Sequence, residues 1–377
     1  MLTRIKLGQF RCFEALEADF HPRTNLILGA NAVGKTSLLE AACILLRLQS
    51  ARTHRLPEVI RHGQKGFLVD GYYDGTHLQF YFGTARKKLA LDSVEQNDAG
   101  EYLKVGRVMW FSNSDLRLVR DGAEVRRKFL DFVASQTTRG YRDQLRAYER
   151  ALRSRNLLLK APIPSWKQIR AFDAPLAEAG EKLIAARRFV VTSLKPLAQL
   201  AHAAISGARE ALDIQYEPSV EASFFEELEK ARQEDFRLRQ TGRGPHRDEV
   251  SLCISGTAAH LGSEGQQRTL ALSLRLGATR LLEAHFGRPP LLLLDDIFGE
   301  LDVDRRAALF RELPAHSQQI VTTTQMEWLP AQPEAHVLRP GYRCICCAGG
   351  SRGRIGVAFL EAVSPRRMPW AFRWGPS

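Results

Sequence analysis

What is scarce in this chain excludes whole classes of protein. Across 377 residues no apolar run approaches the roughly 18 that a membrane span needs. The N-terminus, MLTRIKLGQFRCF, is broken by charge and offers no apolar segment of a secretory signal. A soluble, cytoplasmic protein is therefore expected. Cysteine is sparse, at six residues, and a chain this long needs neither disulfides nor a structural metal to hold a core. Cys12, Cys43 and Cys253 stand singly in apolar or strand-like contexts and read as buried free thiols. Cys344, Cys346 and Cys347 cluster, but three thiols so close cannot wrap a tetrahedral metal without ligands from elsewhere. Neither a repeat of roughly 20–50 residues nor a sustained heptad is present, which excludes solenoids and long coiled coils. Acidic residues are also short: 42 Asp+Glu against 54 Lys+Arg leaves +12. An excess this diffuse suits a folded protein with a polyanionic partner, with surface solubility as the alternative.

The chain opens with alternation (Leu2, Ile5, Leu7) and a turn at His21-Pro22. Asn25 to Leu28 is a short apolar run that predicts a buried strand, followed by a Gly-rich turn and a helical pattern from Lys35 to about Arg47. From Gly66 to about Met109 the text is strand-like, with turn signals at Asp74-Gly75 and Asn97-Asp98. From about Arg117 to Arg239 it is charged and helical, divided by Pro162, Pro164, Pro175 and Pro196. Strand character returns after Gly242, then a helix from Gln266 to about Ala284, an apolar strand from Leu291 to Leu294, and a last αβ unit. The pattern predicts an α/β domain split around a helical insertion.

Three motifs carry chemistry. Gly29, Ala30, Asn31, Ala32, Val33, Gly34, Lys35, Thr36 and Ser37 fit G-x-x-x-x-G-K-[ST] between a strand and a helix. Gly29 and Gly34 let the backbone curl its N–H groups onto phosphate, and the helix adds its positive end. Lys35 would sit on the β- and γ-phosphates of ATP, and the Thr36 hydroxyl on Mg²⁺. Ala32 is odd there, since Gly would take a positive φ at less cost. In LLLLDDIFGELD, Leu291 to Asp302, two carboxylates end an apolar strand, where open α/β sheets bind ligands. Asp295 would hold Mg²⁺, and Asp296 would orient or deprotonate the attacking water. Third, LGSEGQQRTLALSLRLG, Leu261 to Gly277, opens a helix about thirty residues before the Asp pair. It resembles the signature motif of ABC-type ATPases. Ser263, Gly265 and Gln266 at a helix start form an anion site. In ABC-type heads that site meets the γ-phosphate held by the other subunit, which implies an ATP-dependent head-to-head dimer.

A transporter subunit would place its signature much closer to the P-loop than the 228 residues between Lys35 and Ser263. A structural-maintenance-of-chromosomes protein would need hundreds of residues of coiled coil. A head with a compact helical arm remains, and here the chain resembles the RecF family of bacterial recombinational-repair proteins from about Met1 to Gly341. GANAVGKTSLLEA resembles that family's P-loop, which often carries Ala where Ala32 stands. Ser50 to Gly63, Phe111 to Asp131, Tyr148 to Lys160, Gly244 to Glu249, SEGQQRT and LLLLDDIFGELD are similar to further family segments. Ser112-Asn113-Ser114 departs from the usual Ser/Thr-Pro-Glu, and the residues after about Arg339 lie beyond the usual family end.

The resemblance implies an α/β P-loop ABC-type head, a mixed sheet with flanking helices, carrying an inserted helical arm. The expected divisions are 1–116 and 243–340 as two halves of the ATPase lobe, 117–242 as the arm, and 341–377 as a basic tail without a fold. It also implies an ATP-dependent DNA-binding protein of gap repair and replication maintenance. Such a protein would bind duplex or single-strand/duplex junctions, act with RecR and RecO to load RecA, and serve the SOS response. Asp296 stands where most ABC-type heads have Glu, and Lys35 is the only cation expected on the phosphates, so weak ATP hydrolysis acting as a timer is expected. An ABC-type ATP-binding interaction protein with little turnover, acting on a protein complex, is the alternative. For DNA, Arg139, Arg142, Arg146, Arg150 and Arg153 recur at helical spacing beside Tyr141, Leu145, Tyr148 and Leu152. Asp143 and Glu149 relieve only part of the repulsion along that stripe, so it is a candidate phosphate track.

Overall fold

The computed structural model describes residues 1–53 and 55–324, together with the backbone of the strands His336–Arg339 and Val357–Phe359. The chain divides into two compact units, 1–113 with 287–377, and 114–286. The first division falls three residues before the expected 116/117. The second is displaced from 242/243 to 286/287, so the signature helix groups with the inserted unit instead of the ATPase lobe. Packing is the reason: the helices Asp173–Ser206 and Glu264–Phe286 lie against each other along their length. At Gly277 a Cβ would come within 2.8 Å of the Ala198 backbone nitrogen, an approach only glycine permits.

The first unit is built on two sheets. One is antiparallel, in the spatial order Phe13–Asp19, Leu2–Phe10, Gly66–Tyr73, Thr76–Gly83, Lys87–Leu91, Val94–Glu95. The hairpin between Tyr73 and Thr76 turns on Asp74 and Gly75, at φ 50° and 80°. The other sheet is parallel, in the order Val357–Phe359, His336–Arg339, Thr24–Leu28, Gln319–Thr323, Leu291–Asp295, Val108–Ser112. Leu291 to Leu294 are all buried, as a strand covered on both faces requires. The helix Lys35–Arg47 packs on both sheets and buries every residue from Ser37 to Arg47. Its five large aliphatics (Leu38, Leu39, Ile44, Leu45, Leu46) contribute roughly 10 kcal/mol of apolar transfer. Gly71 lets the antiparallel sheet approach, since a Cβ there would stand 2.7 Å from Leu45. Within the tail 341–377, Val357–Phe359 adds a short strand where no fold was expected. Cys344, Cys346 and Cys347 lie outside the described residues.

The inserted unit is mostly helical. A three-stranded antiparallel sheet, Leu212–Glu217, Glu249–Ile254 and Thr257–Ala258, completes it. The first of these strands was not anticipated in the charged helical text. Pro196 was expected to divide that text, yet it lies inside the 34-residue helix Asp173–Ser206. Burial of Leu194 and Ala198 around it offsets the missing hydrogen bond. Polar groups tie this unit together from inside. The Arg155 side chain is 1% exposed and donates to Asp173 (2.8 Å), Asp235 (2.7 Å) and Thr241 (2.8 Å). Arg187 donates to Asp131 (2.8 Å), Asp248 (3.1 Å) and the Pro245 carbonyl (2.6 Å). His246 lies between the Tyr148 hydroxyl (2.5 Å to Nδ1) and the Thr241 carbonyl (2.9 Å to Nε2). The carbonyl can only accept, so Nε2 carries the proton and Nδ1 accepts from the tyrosine.

Candidate functional site

In the first unit, the turn from Gly29 to Gly34 joins the strand Thr24–Leu28 to the helix beginning at Lys35. Its left-handed positions are Ala32 (φ 67°) and Gly34 (φ 100°), not Gly29. Gly34 is required twice over, because a Cβ there would also strike Phe13 at 2.5 Å and the Cys12 sulfur at 2.8 Å. Ala32 takes the strain that its methyl predicted. Ala30, Asn31, Ala32 and Val33 are exposed at the turn, and Ser37 is buried behind it. Lys35 folds back and donates to the carbonyls of Gly29 (2.6 Å) and Ala30 (2.8 Å). Burial lowers its pKa, against the pull of Asp296 and Asp295. The ammonium is thus held at the turn whose phosphate it was expected to meet.

Thr36 and the Asp pair come together here as the sequence suggested. The Thr36 hydroxyl donates to Asp295 Oδ1 at 2.8 Å, and Thr322 donates to the same oxygen at 2.9 Å. Burial raises the Asp295 pKa, with Thr36, Thr322, Arg52 and Lys35 opposing. Asp296 adopts φ 52°, a conformation that costs a non-glycine residue of order 1 kcal/mol or more and is common where function fixes the backbone. Two contacts impose it: its N–H donates to Thr322 (3.0 Å) and its carbonyl accepts from Asn113 (3.1 Å). Burial also raises the Asp296 pKa. Asn113 thereby has a role in the loop that departs from the family pattern.

These groups border a cleft of about 570 Å³, within the usual range for small-molecule sites. Arg11 and Arg52 line it too; Arg52 lies in the family-like Ser-x-Arg stretch that opens Ser50 to Gly63, without a role assigned to it, and nothing in the sequence pointed to Arg11. Both are held by Glu40, which is fully buried on the P-loop helix. Arg11 donates to it twice (2.8 and 2.7 Å), Arg52 once (3.3 Å), and the Ser50 hydroxyl bonds to it as well. A single acid in the otherwise apolar run LLEAACILL was the available signal. Cys43 is buried as expected, but Cys253 is half-buried and Cys12 is exposed at the cleft, because the turn at Arg11 (φ 51°) carries it out of the sheet.

In the inserted unit, the helix Glu264–Phe286 starts as a reciprocal cap. The Ser263 N–H donates to Gln266 Oε1 (2.7 Å), and the Gln266 N–H donates to Ser263 Oγ (3.3 Å). Ser263 and Gly265 are both half-buried or more open at this helix start. Gln266 does not point outward with Ser263: its amide turns inward and donates to Glu210 at 2.9 Å. Gln267 is buried, donating to the carbonyls of His260 (2.9 Å) and Gly262 (2.8 Å) and accepting from Arg120 (2.7 Å).

The arginine stripe falls mostly on the helix Tyr141–Leu159. Arg139 is a correction: it lies in the turn before the N-cap Gly140, whose φ of 73° ends any helical register there. Arg146, Arg150 and Arg153 keep much of their side chains in solvent, and Arg142 is half-buried. Asp143 and Glu149 stand 3.6 and 3.9 Å from Arg146 and Arg153, contacts worth little at the surface. Tyr141 and Tyr148 are buried, Leu145 and Leu152 half-buried, so the helix docks by the predicted apolar side.

Among the described residues no helix is long and apolar enough to cross a membrane, and no group of three or more potential metal-binding side chains occurs. The sequence pattern of the RecF/RecN/SMC N-terminal domain matches residues 1–337. The DNA replication and repair protein RecF of Agathobacter rectalis is 35% identical over 337 residues, covering 87% of this chain and 93% of that protein. Its namesake in Symbiobacterium thermophilum is 34% identical over 344 residues, 86% and 92% of the two chains. A solved structure of the recombination mediator protein RecF-ATPrS of the RecFOR pathway matches with a TM-score of 0.80 at 29% identity, covering 89% of this chain and 95% of that one. An Smc head bound to the C-winged helix domain of ScpA matches at 0.52 and 14% identity, a likeness of fold alone.

Proposed function

This chain belongs to the RecF family, and from that premise we propose that it is an ATP-binding protein of DNA replication and repair acting as a recombination mediator of the RecFOR kind. The observation that carries the reading is the convergence of the P-loop turn, Lys35, Thr36 and the Asp295–Asp296 pair on one cleft. A relative of the same architecture is known with ATP bound, at a TM-score of 0.79. The backbone of Gly29 to Gly34, the Lys35 ammonium and the N-terminus of the following helix hold the ATP phosphates. The Thr36 hydroxyl and the Asp295 carboxylate offer the hard oxygen donors that Mg²⁺ takes. Magnesium there would neutralise charge on the β- and γ-phosphates. Lys35 supplies charge and position, and Asp296 orients or deprotonates the attacking water. Its side chain is shorter than Glu by about 1.5 Å, one C–C bond. A misplacement of that size can cost on the order of 10²-fold in rate, so hydrolysis is slow and times release instead of driving motion.

ATP joins two copies, the Ser263 side of one facing the nucleotide of the other through Ser263, Gly265 and the helix N-terminus beside Gln266. The cytoplasmic dimer binds duplex DNA and single-strand/duplex junctions. With RecR and RecO it promotes RecA loading on gaps and so feeds the SOS response. The arginines on Tyr141–Leu159 serve as a phosphate track. The test is sizing and DNA titration with and without ATP. Wild type should dimerise on ATP and bind gapped DNA more tightly. Lys35→Met should lose ATP binding by on the order of a hundredfold, as charge-assisted contacts to two phosphates are removed. Ser263→Arg should bind ATP as a monomer without dimerising, and Asp296→Asn should accumulate the dimer. An ATP-dimer unimpaired in Ser263→Arg, or turnover of many per second in wild type, contradicts the reading.

A further inference from the structure

The outward-facing half of the Ser263 cap is kept in order by a residue far away in sequence. The helix Asp173–Ser206 ends on two left-handed residues, Gly207 (φ 69°) and Ala208 (φ 57°). Four residues after that helix comes Glu210, and at Leu212 the chain is already a strand paired to Glu249–Ile254. Its neighbour Ala211 is hydrogen-bonded to Ser255 in both directions, N–H to Oγ at 3.2 Å and carbonyl to N–H at 2.7 Å. Glu210 is thus pinned from both sides, with its carboxylate at Gln266.

A glutamine amide has an oxygen end and a nitrogen end of nearly equal shape, and only one orientation works here. The oxygen must accept the Ser263 N–H (2.7 Å). The flipped amide would set its NH₂ against that N–H, donor on donor, and the cap would fail. A carboxylate at 2.9 Å from Nε2 accepts only, so it selects the working orientation. Its other oxygen stands 3.5 Å from Nε2 of the buried His202. The Ser273 hydroxyl donates to the Thr269 carbonyl (2.6 Å) and lies 3.4 Å from His202 Nδ1. Burial lowers the pKa of that ring and the Glu210 carboxylate opposes the shift, so His202 and Gln266 both face this one acid.

We propose that Glu210 is a positioning residue for the subunit-bridging site: by clamping the Gln266 amide it holds Ser263 and the first turn of its helix in the form that meets the partner copy's nucleotide. The inference rests on the ATP-dimer reading above and deepens it.

Dimer formation against protein concentration at saturating ATP tests it. Glu210→Leu should raise the concentration for half-dimerisation by about tenfold, the order expected for one charge-assisted hydrogen bond. Its ATP affinity as a monomer should stay at the wild-type value and its thermal midpoint within about 5 °C of wild type, the shift one lost hydrogen bond gives and a general loss of packing would exceed. Gln266→Glu sets two carboxylates face to face and should impair dimerisation at least as much. Adding Glu210→Gln to it restores a donor–acceptor pair with the two roles exchanged. The amide then at position 210 donates, and the carboxylate then at position 266 still caps Ser263. The double variant should therefore recover to within about threefold of wild type. A dimerising wild type whose Glu210→Leu is unchanged, or whose double variant is no better than Gln266→Glu, overturns this inference alone. A wild type that stays monomeric with ATP overturns the dimer reading and this inference together.

Discussion

The two units solve the problem of placing polar groups in opposite ways. The first sets its chemistry at the ends of secondary structure. A turn between a strand and a helix presents the P-loop, and the C-terminal ends of parallel strands present Asp295 and Asp296. The second spends its strongest polar groups inside, with Arg155 and Arg187 at 1% and 4% side-chain exposure among aspartates. A site at strand ends is open and adaptable, and each of its motifs is a short local stretch, although the fold brings them together from distant parts of the chain. A buried network is closed, and each member is committed to partners tens of residues away. Loss of one open cleft side chain such as Lys35 or Asp296 should therefore disturb folding less than loss of a member of the buried Arg155 or Arg187 network.

The sharpest way to break that contrast is Arg155→Met. It leaves the Asp173 and Asp235 carboxylates buried without their cation, which should cost about 3–5 kcal/mol of unfolding free energy. Urea unfolding followed by circular dichroism measures it, and a cost below about 1 kcal/mol would mean the network is not what holds the unit. The loss should be larger at neutral pH than in mild acid, where the two acids can bury as neutral groups.

A second effect comes from His246. Burial lowers its pKa to about 4, with Arg247 and Arg127 adding to the shift. The unfolded chain takes up this proton below about pH 6.5, and the native state does not until about pH 4. Stability is therefore full above the unfolded value and falls as the pH drops between the two, by up to roughly 3 kcal/mol. The urea midpoint should track that window, and His246→Gln should flatten it. An equal slope in the variant would assign the acid sensitivity elsewhere.

The smallest expected effect is on the surface. Changing Arg142, Arg146 and Arg153 together to Gln leaves the fold intact. It should weaken DNA binding across sequences and reduce the salt slope by up to about 0.9 for each phosphate no longer neutralised, with ATP affinity unchanged. A wild-type slope in the triple variant would move the DNA track off this helix, and with it the idea that the inserted unit carries function on its outside.

Elements whose cause is local were legible in the amino acids alone. The strand ending at Leu28, the helix beginning at Lys35 and the apolar strand into Asp295 stand within a residue of their predicted bounds. A periodic apolar pattern, a Gly-rich turn and a terminal acid pair each declare themselves within a short stretch of chain. Even the strain at Ala32 was legible, because a residue at that place in a phosphate turn must go left-handed whether or not it carries a methyl group. Tertiary packing settled the rest. It assigned the signature helix to the inserted unit, because glycine at 277 lets two helices close on each other. It carried the helix through Pro196, because packing outweighed one missing hydrogen bond. It also chose Glu40 for the two cleft arginines and Glu210 for Gln266. A carboxylate's partner is set by which chain segments fold against it, and no spacing along the sequence records that.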